Sequence, residues 1–470
     1  MSSQHEQTAN GDAPAHEDTS ANQPKKSGIL DSVASFFTKL MDKYLPDPFV
    51  FAIGLTLLTF ILAVTVQHSN PLDSVLDWGN GFWNLLAFTT QMAVILAAGY
   101  VLANSPVVDR LLDKIVANIS KPKTAIIVAT LVGGIGSYLN WGFGLIVGGV
   151  VARKLAMHVK GLHYPLVIAS AYSGFTFYGL GLSATIPLTI ATPGHPLEDS
   201  MGVVGLKDTI FSLPMIITTL VVLIVLPLLN AAMHPKPGRP VRGIGGLADE
   251  APAVKAVDVE KTFSSRLNNS RILSMVIGLA GILYVVMAMV KGRSVDLDLV
   301  NFIILFLGII LLGTPIAYIT KLNEGIKTVS GIILQFPFYA GIMAIMAGSG
   351  LVETISHWFV SISNQDTLPF WGLVSSFFIN FFAPSGGGHW VIQGPFMIDA
   401  ANQLGASIPE TSMSVMLGNA WNDLVQPFWI LPALAISKLK LKDIMGYTVI
   451  DMFVVGLIYI AAMFGWALLG

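Results

Sequence analysis

Two polar runs in an otherwise apolar chain carry residue types that could do chemistry. The first is Ala383-Pro384-Ser385-Gly386-Gly387-Gly388-His389-Trp390-Val391-Ile392-Gln393, set in a stretch from Thr367 to Ile398 with no Asp, Glu, Lys or Arg. Three consecutive glycines beside a proline do not continue a helix comfortably. At membrane depth, backbone that leaves the helix must be buried in protein or line a wet cavity. The second run is Gly418-Asn419-Ala420-Trp421-Asn422-Asp423-Leu424-Val425-Gln426-Pro427, where Pro427 and Pro432 free backbone carbonyls. Asp423 is a carboxylate expected near the middle of a span, where charge is costly and by default marks a function. With Asn419 and Asn422 beside it, the group suits the handling of a coupling proton or sodium ion. A protonated Asp bonded to a neighbouring carbonyl is the plainer alternative.

The first half of the chain offers a counterpart. Gly133-Gly134-Ile135-Gly136-Ser137-Tyr138-Leu139-Asn140-Trp141-Gly142 is glycine-dense, and Ser170 to Thr176, with Ser173 at its centre, supplies hydroxyls but no carboxylate. No Lys or Arg falls in any expected span. An anion would therefore be held by the N–H groups of half-helices that start after Asn140 and Ser385, together with hydroxyls. The candidate substrate contacts are Ser137, Asn140, Trp141, Gly142, Ser173, Ser385, Gly386, Gly387, Gly388, His389 and Trp390. Such a site suits a small carboxylate, and Trp141, Phe143, Trp390 and Trp421 suit a short alkyl chain. Each residue also has a bland role. Ser385 and Asn140 serve as N-caps, the glycines permit close packing, and His389 acts as a neutral hydrogen-bond donor. Glu353, Asp399 and Asp451 fall near expected span ends and read as interfacial.

The elements that would position these residues follow from composition. The 470 residues are 53% hydrophobic and only 11% charged, against about a quarter charged in soluble domains. Runs such as Pro48–Val66 are long enough to cross a bilayer, so the chain reads as an all-α polytopic membrane protein. The absence of cysteine excludes disulfides, thiolate metal sites and Cys nucleophiles. The net charge of -2 says nothing about a partner; no nucleic acid and no cofactor are expected. Residues 1–28 read as a disordered cytoplasmic tail. Residues 29–45 read as an interfacial amphipathic helix.

Lys and Arg mark the cytoplasmic side, which puts the N-terminus inside. Basic residues flank Thr124–Ala152 at both ends, so residues 124–152 are expected to form a re-entrant hairpin turning near Asn140. A second hairpin, 368–399, enters from outside. With this threading only Lys207, Lys291 and Arg293 lie outside. Residues 46–230 and 299–470 then form two inverted repeats, separated by a cytoplasmic linker and connecting helix at 231–298. Asn140 stands as far before Pro187 as Ser385 does before Pro432. The two tips would meet near the midplane, where carriers of this design bind cargo, and one hairpin-bearing unit would move against a scaffold of early spans. A hydrolase is disfavoured, since it needs paired carboxylates or a base beside a nucleophile. A cation/proton antiporter is the nearest alternative.

The motifs Pro384–Trp390 with Gln393-Gly394-Pro395, and Trp421-Asn422-Asp423-Leu424-Val425-Gln426-Pro427-Phe428-Trp429, resemble those of the bacterial short-chain fatty acid transporter family, permeases for acetoacetate and butyrate. Asn140-Trp141-Gly142 is similar to the family's first-half motif, and the resemblance runs from about Lys39 to the C-terminus. It implies an ion-transporter-superfamily carrier of the elevator type, usually a homodimer, in the cytoplasmic (inner) membrane. It also implies that the tips Ser137–Gly142 and Ser385–Trp390 bind the carboxylate while Asn419, Asn422 and Asp423 line the same cavity. His389 stands where the family often carries Gln.

Overall fold

Helix starts follow local chemistry. Asn70, Ser105 and Thr314 each cap a helix whose first residue is proline, and their side chains accept from Leu72 N, Val108 N and Ala317 N. A proline loses nothing at that position because the first N–H groups have no intrahelical acceptor.

The computed structural model describes residues 48–236, 240–245 and 262–469, and among them it contains helices but no strand. The first half holds α1 (Pro48–Thr65), α2 (Pro71–Gly81), α3 (Leu86–Ala103), α4 (Pro106–Ala117), α5 (Pro122–Leu139), α6 (Trp141–His158) and α7 (Tyr164–Ser173). A 3-10 segment, Gly174–Leu180, then leads to α8 (Thr185–Ile190), α9 (Glu198–Met201) and α10 (Leu213–Ala232). Next come α11 (Phe263–Asn268), α12 (Arg271–Val290), α13 (Leu297–Leu312), α14 (Pro315–Gly325), α15 (Ser330–Ser349) and α16 (Leu351–Ile362). The last group is α17 (Leu368–Ile379), α18 (Gly386–Leu404), α19 (Ile408–Asp423), α20 (Pro427–Ser437) and α21 (Leu441–Leu469).

Among the described residues seven helical segments are long and apolar enough to cross a membrane. Their outward faces carry large apolar side chains such as Leu220, Ile224 and Leu457, as contact with lipid tails would require. The expected tail (1–28) and interfacial helix (29–45) lie outside the described residues, as does the linker stretch 246–261.

Two helical hairpins stand at the centre. α5 and α6 run antiparallel with almost no space between them. A Cβ on Gly144 would sit 2.2 Å from Ser137 N, and one on Gly148 would lie 3.3 Å from Gly133 Cα. α17 and α18 form the second pair, with Ser376 facing His389. The turns share one backbone geometry. Asn140 has φ −157°, ψ 122° and caps α6 through Phe143 N, while Ser385 has φ −158°, ψ 119° and caps α18 through Gly388 N.

The hairpins are followed by interrupted helices. Gly174–Leu180 breaks the first, and Leu424–Gln426 separates α19 from α20. The breaks cross each other, and Gly179 lies so close to α19 that a Cβ there would be 2.6 Å from Ala420 Cβ.

Some expected connections are helices. α2, α4, α14 and α16 occupy segments that read as loops or span ends. They are short and amphipathic, so no apolar run announces them. In α4, Val108, Leu112 and Val116 face the core, while Asp109 pairs with Lys154 of α6 at 2.8 Å. Asp451 also departs from expectation. It is fully buried inside α21 rather than interfacial, because the helix face that carries it packs against α7 and α10.

Candidate functional site

The Asp423 carboxylate, 1% exposed, ends α19 at the crossing of the two broken helices. Tyr178 of the 3-10 segment donates to its Oδ2 at 2.8 Å, and Asn380 Nδ2 from the turn after α17 donates to Oδ1 at 2.6 Å. Tyr172 donates to the Asp423 carbonyl, and Tyr178 also reaches Asn419 Oδ1. Asn380 lies 3.1 Å from Asn422 Oδ1 and is held in turn by Gln426, which donates to its carbonyl at 3.0 Å. Every one of these partners is neutral. The arrangement can hold a carboxylate or a carboxylic acid without a fixed counter-charge, which is the condition for binding and releasing a proton or cation. Asn422 Nδ2 and Gln426 Oε1, both buried, have no protein partner.

His389 belongs to this network. Ser376 Oγ gives its proton to Val415 O at 2.6 Å, so at 3.1 Å from His389 Nε2 it acts as an acceptor. Gln393 Oε1 also meets Nε2, and Asn419 Nδ2 lies 3.3 Å from Nδ1. These partners assign a neutral imidazole with the hydrogen on Nε2.

The two hairpin turns face a common cavity lined by Trp141, Ser385 and Gly386, together with Tyr178, Thr185, Phe175, Phe336, Met92, Ile332 and Trp429. Half of its lining residues are aromatic. Trp141 meets Trp429 edge-on at 5.3 Å, and Phe175 stacks on Tyr178 at 4.7 Å. The space open to the centres of water-sized molecules is ≈ 20 Å³, enough for about one water. Cargo of any size needs the walls to part. Tyr178 joins the cavity to the carboxylate, because its ring lines the one and its hydroxyl bonds the other.

The remaining candidates are distributed around these two centres. Gly386 touches Thr185 and Asn419, Gly387 lies under Phe88, and Gly388 lies under Tyr339. Each has room only for hydrogen, which lets the start of α18 approach its neighbours. Trp390 is fully buried with its indole N–H unpaired. Asn140 donates to Ile95 O at 3.3 Å and packs on Gly99, away from the cavity. Gly142 faces Leu96, and Ser137 lies in the hairpin seam, where its carbonyl accepts from Ser183. Ser173 is not a cavity residue. It bonds Asn230 of α10 at 2.9 Å.

Sequence reasoning missed Tyr178, Asn380 and Trp429. Asn380 had a signal, as an amide between Ile379 and Phe381 in a charge-free run. Tyr178 had none, since aromatics are common in any core, and Trp429 entered only as the end of the second family-like motif.

The geometry and the apolar helices define an all-helical, multi-pass membrane protein. Its fold is similar to that in the crystal structure of the Alcanivorax borkumensis YdaH transporter, with a TM-score of 0.57 and 17% identity over 90% of this chain and 98% of that one. A sequence profile described as "Short chain fatty acid transporter" matches residues 29–465. Two relatives carry the printed name "Putative short-chain fatty acid transporter". The one from Escherichia coli is 41% identical over 92% of this chain and 99% of that protein. The one from Haemophilus influenzae is 41% identical over 89% and 96%. The chain belongs to the short-chain fatty acid transporter family.

Proposed function

We propose that the protein is a secondary active transporter for short-chain fatty acids or related monocarboxylates such as butyrate and acetoacetate, coupled to a proton or sodium ion in the cytoplasmic membrane. The observation that carries this reading is the aromatic cavity between Trp141 and Ser385–Gly386, joined through Tyr178 to Asp423. No lining residue is cationic. A carboxylate would be met by the first N–H groups of α18, which have no intrahelical acceptor, and by the Thr185 hydroxyl. Its alkyl chain would lie against Trp141, Trp429 and Phe336. Asp423, with Asn419 and Asn422, would carry the coupling ion.

The paired hairpins, their matched turn geometry and the crossed breaks support two inverted repeats, 46–230 and 299–470, joined by 231–298. The hairpins 124–152 and 368–399 would be re-entrant. The hairpins, α7, α10 and α19–α21 would move as one block against α1–α3 and α13–α16, in the elevator manner and within a homodimer, with the N-terminus in the cytoplasm. A cation/proton antiporter would use Asp423 but give the aromatic cavity no cargo.

The test is uptake of radiolabelled butyrate and acetoacetate into proteoliposomes, under sodium and pH gradients imposed separately. Gradient-driven accumulation and acceleration by substrate on the far side are expected. Cation exchange that proceeds without any organic acid would favour the antiporter.

A further inference from the structure

A second buried carboxylate lies apart from the Asp423 network. Asp451 of α21 is 0% exposed, as are Ser173 of α7, Asn230 of α10 and Thr130 of α5. The donors of this cluster can be accounted for one by one. Asn230 Nδ2 gives its two hydrogens to Thr130 Oγ1 at 3.2 Å and Ser173 Oγ at 2.9 Å. Ser173 Oγ gives its only hydrogen to Ser170 O at 3.0 Å, and Thr130 Oγ1 gives its own to Ile126 O at 3.0 Å. Asp451 lies beside Ser173, on the face of α21 that packs against α7 and α10. Three acceptors are left without a donor: Asp451 Oδ1, Asp451 Oδ2 and Asn230 Oδ1. Buried acceptors of this kind are uncommon, and an ionised carboxylate in that position is costly.

A proton would satisfy two of the three at most, being bound to one oxygen and donated to another. A hard metal cation draws on all of them and on the remaining lone pair of Ser173 Oγ. Oxygen-only donors select such cations. The single carboxylate balances one positive charge, and among the described residues no group of three or more His, Cys, Asp or Glu exists to favour a divalent ion. We infer that Asp451, Asn230 and Ser173, brought together by α21, α10 and α7, form a sodium-binding site distinct from Asp423. This site stands on its own hydrogen-bond accounting and does not need the cargo assignment above.

The test uses the purified full-length protein in detergent, with sodium chloride replaced stepwise by choline or potassium chloride at fixed ionic strength and fixed pH. Sodium is expected to raise the Tm of the wild type saturably, by about 3 °C, and choline and potassium are not. Asp423→Asn should retain a saturable sodium response, and adding Asp451→Asn, a neutral isostere, to that chain should abolish it. Asn230→Ala in that chain should raise the half-saturating sodium concentration at least about tenfold, and it reports on the site even if Asp451→Asn does not fold. The inference is overturned by a wild type indifferent to sodium, by a response of the Asp423→Asn chain that survives Asp451→Asn and Asn230→Ala unchanged, or by one lost in Asp423→Asn alone.

Discussion

At the scale of residues, the site separates a role for charge from a role for space. Asp423 sits among neutral donors, so the charge it carries is free to change with its ligand. Asp423→Asn is expected to abolish gradient-driven accumulation in proteoliposomes while exchange of internal for external substrate persists. Unchanged accumulation would remove Asp423 from coupling. Tyr178→Phe removes the one hydroxyl hydrogen that Asp423 Oδ2 and Asn419 Oδ1 share. It should lower Tm, at a cost of about 1.5–3 kcal/mol for a bond to a charged group, and slow transport more than it weakens substrate binding. Space is decided at Gly386, where a Cβ would fall 2.1 Å from Thr185 Oγ1 but 3.3 Å from Thr185 Cβ. Gly386→Ala should therefore lower Tm and cut uptake severely, and Thr185→Ala in the same chain should restore Tm, whatever its own effect on uptake. A double variant no better than the single one would show that the contact is not the cause. Asp423, Asn419 and Ser385 were legible because polar groups in apolar runs need a reason. Asp451 was misjudged because distance from a span end says nothing about which neighbours cover a helix face.

At the scale of elements, the hairpins depend on glycine where backbones touch. Gly144→Val would force α5 and α6 apart at a contact made with main chain, which cannot swing aside. A loss of about 3 kcal/mol is expected, seen as a lower Tm and less monodisperse protein. Gly54→Ala in α1 meets nothing within 4 Å and should leave both unchanged. The hairpin turns were readable from glycine, proline and charge placement, because helix breaking is a local property. The short helices α2, α4, α14 and α16 were not, because their apolar residues are few and acquire meaning only against a partner. Trp78 of α2 illustrates this. It looks unremarkable in sequence, yet Gly341 of α15 is small because that indole lies 2.4 Å from where a Cβ would be.

At the scale of the whole molecule, the cavity between the hairpins must widen to admit anything larger than a water. Ser385→Cys, in a chain with no other thiol, should react with a maleimide, and butyrate should slow the reaction in a concentration-dependent way. Modification indifferent to butyrate at saturating levels would separate Ser385 from cargo. The crossing of the two broken helices was only partly readable, because spacing relates Asn140 to Ser385 along the chain but does not say which side chains span the gap.

Trp421 of α19 donates its indole N–H to Met452 O of α21 at 2.7 Å, and Gly456 lies directly beneath the ring. That bolt fixes Asp423 and Asp451 to the same rigid piece of protein. If the piece travels along the membrane normal, both carboxylates travel with it through the electric field, and a full crossing is worth about 2.3 kcal/mol per elementary charge per 100 mV. The turnover of this carrier is then a current as well as a flux, and its sign reports whether those two groups ride naked or neutralised.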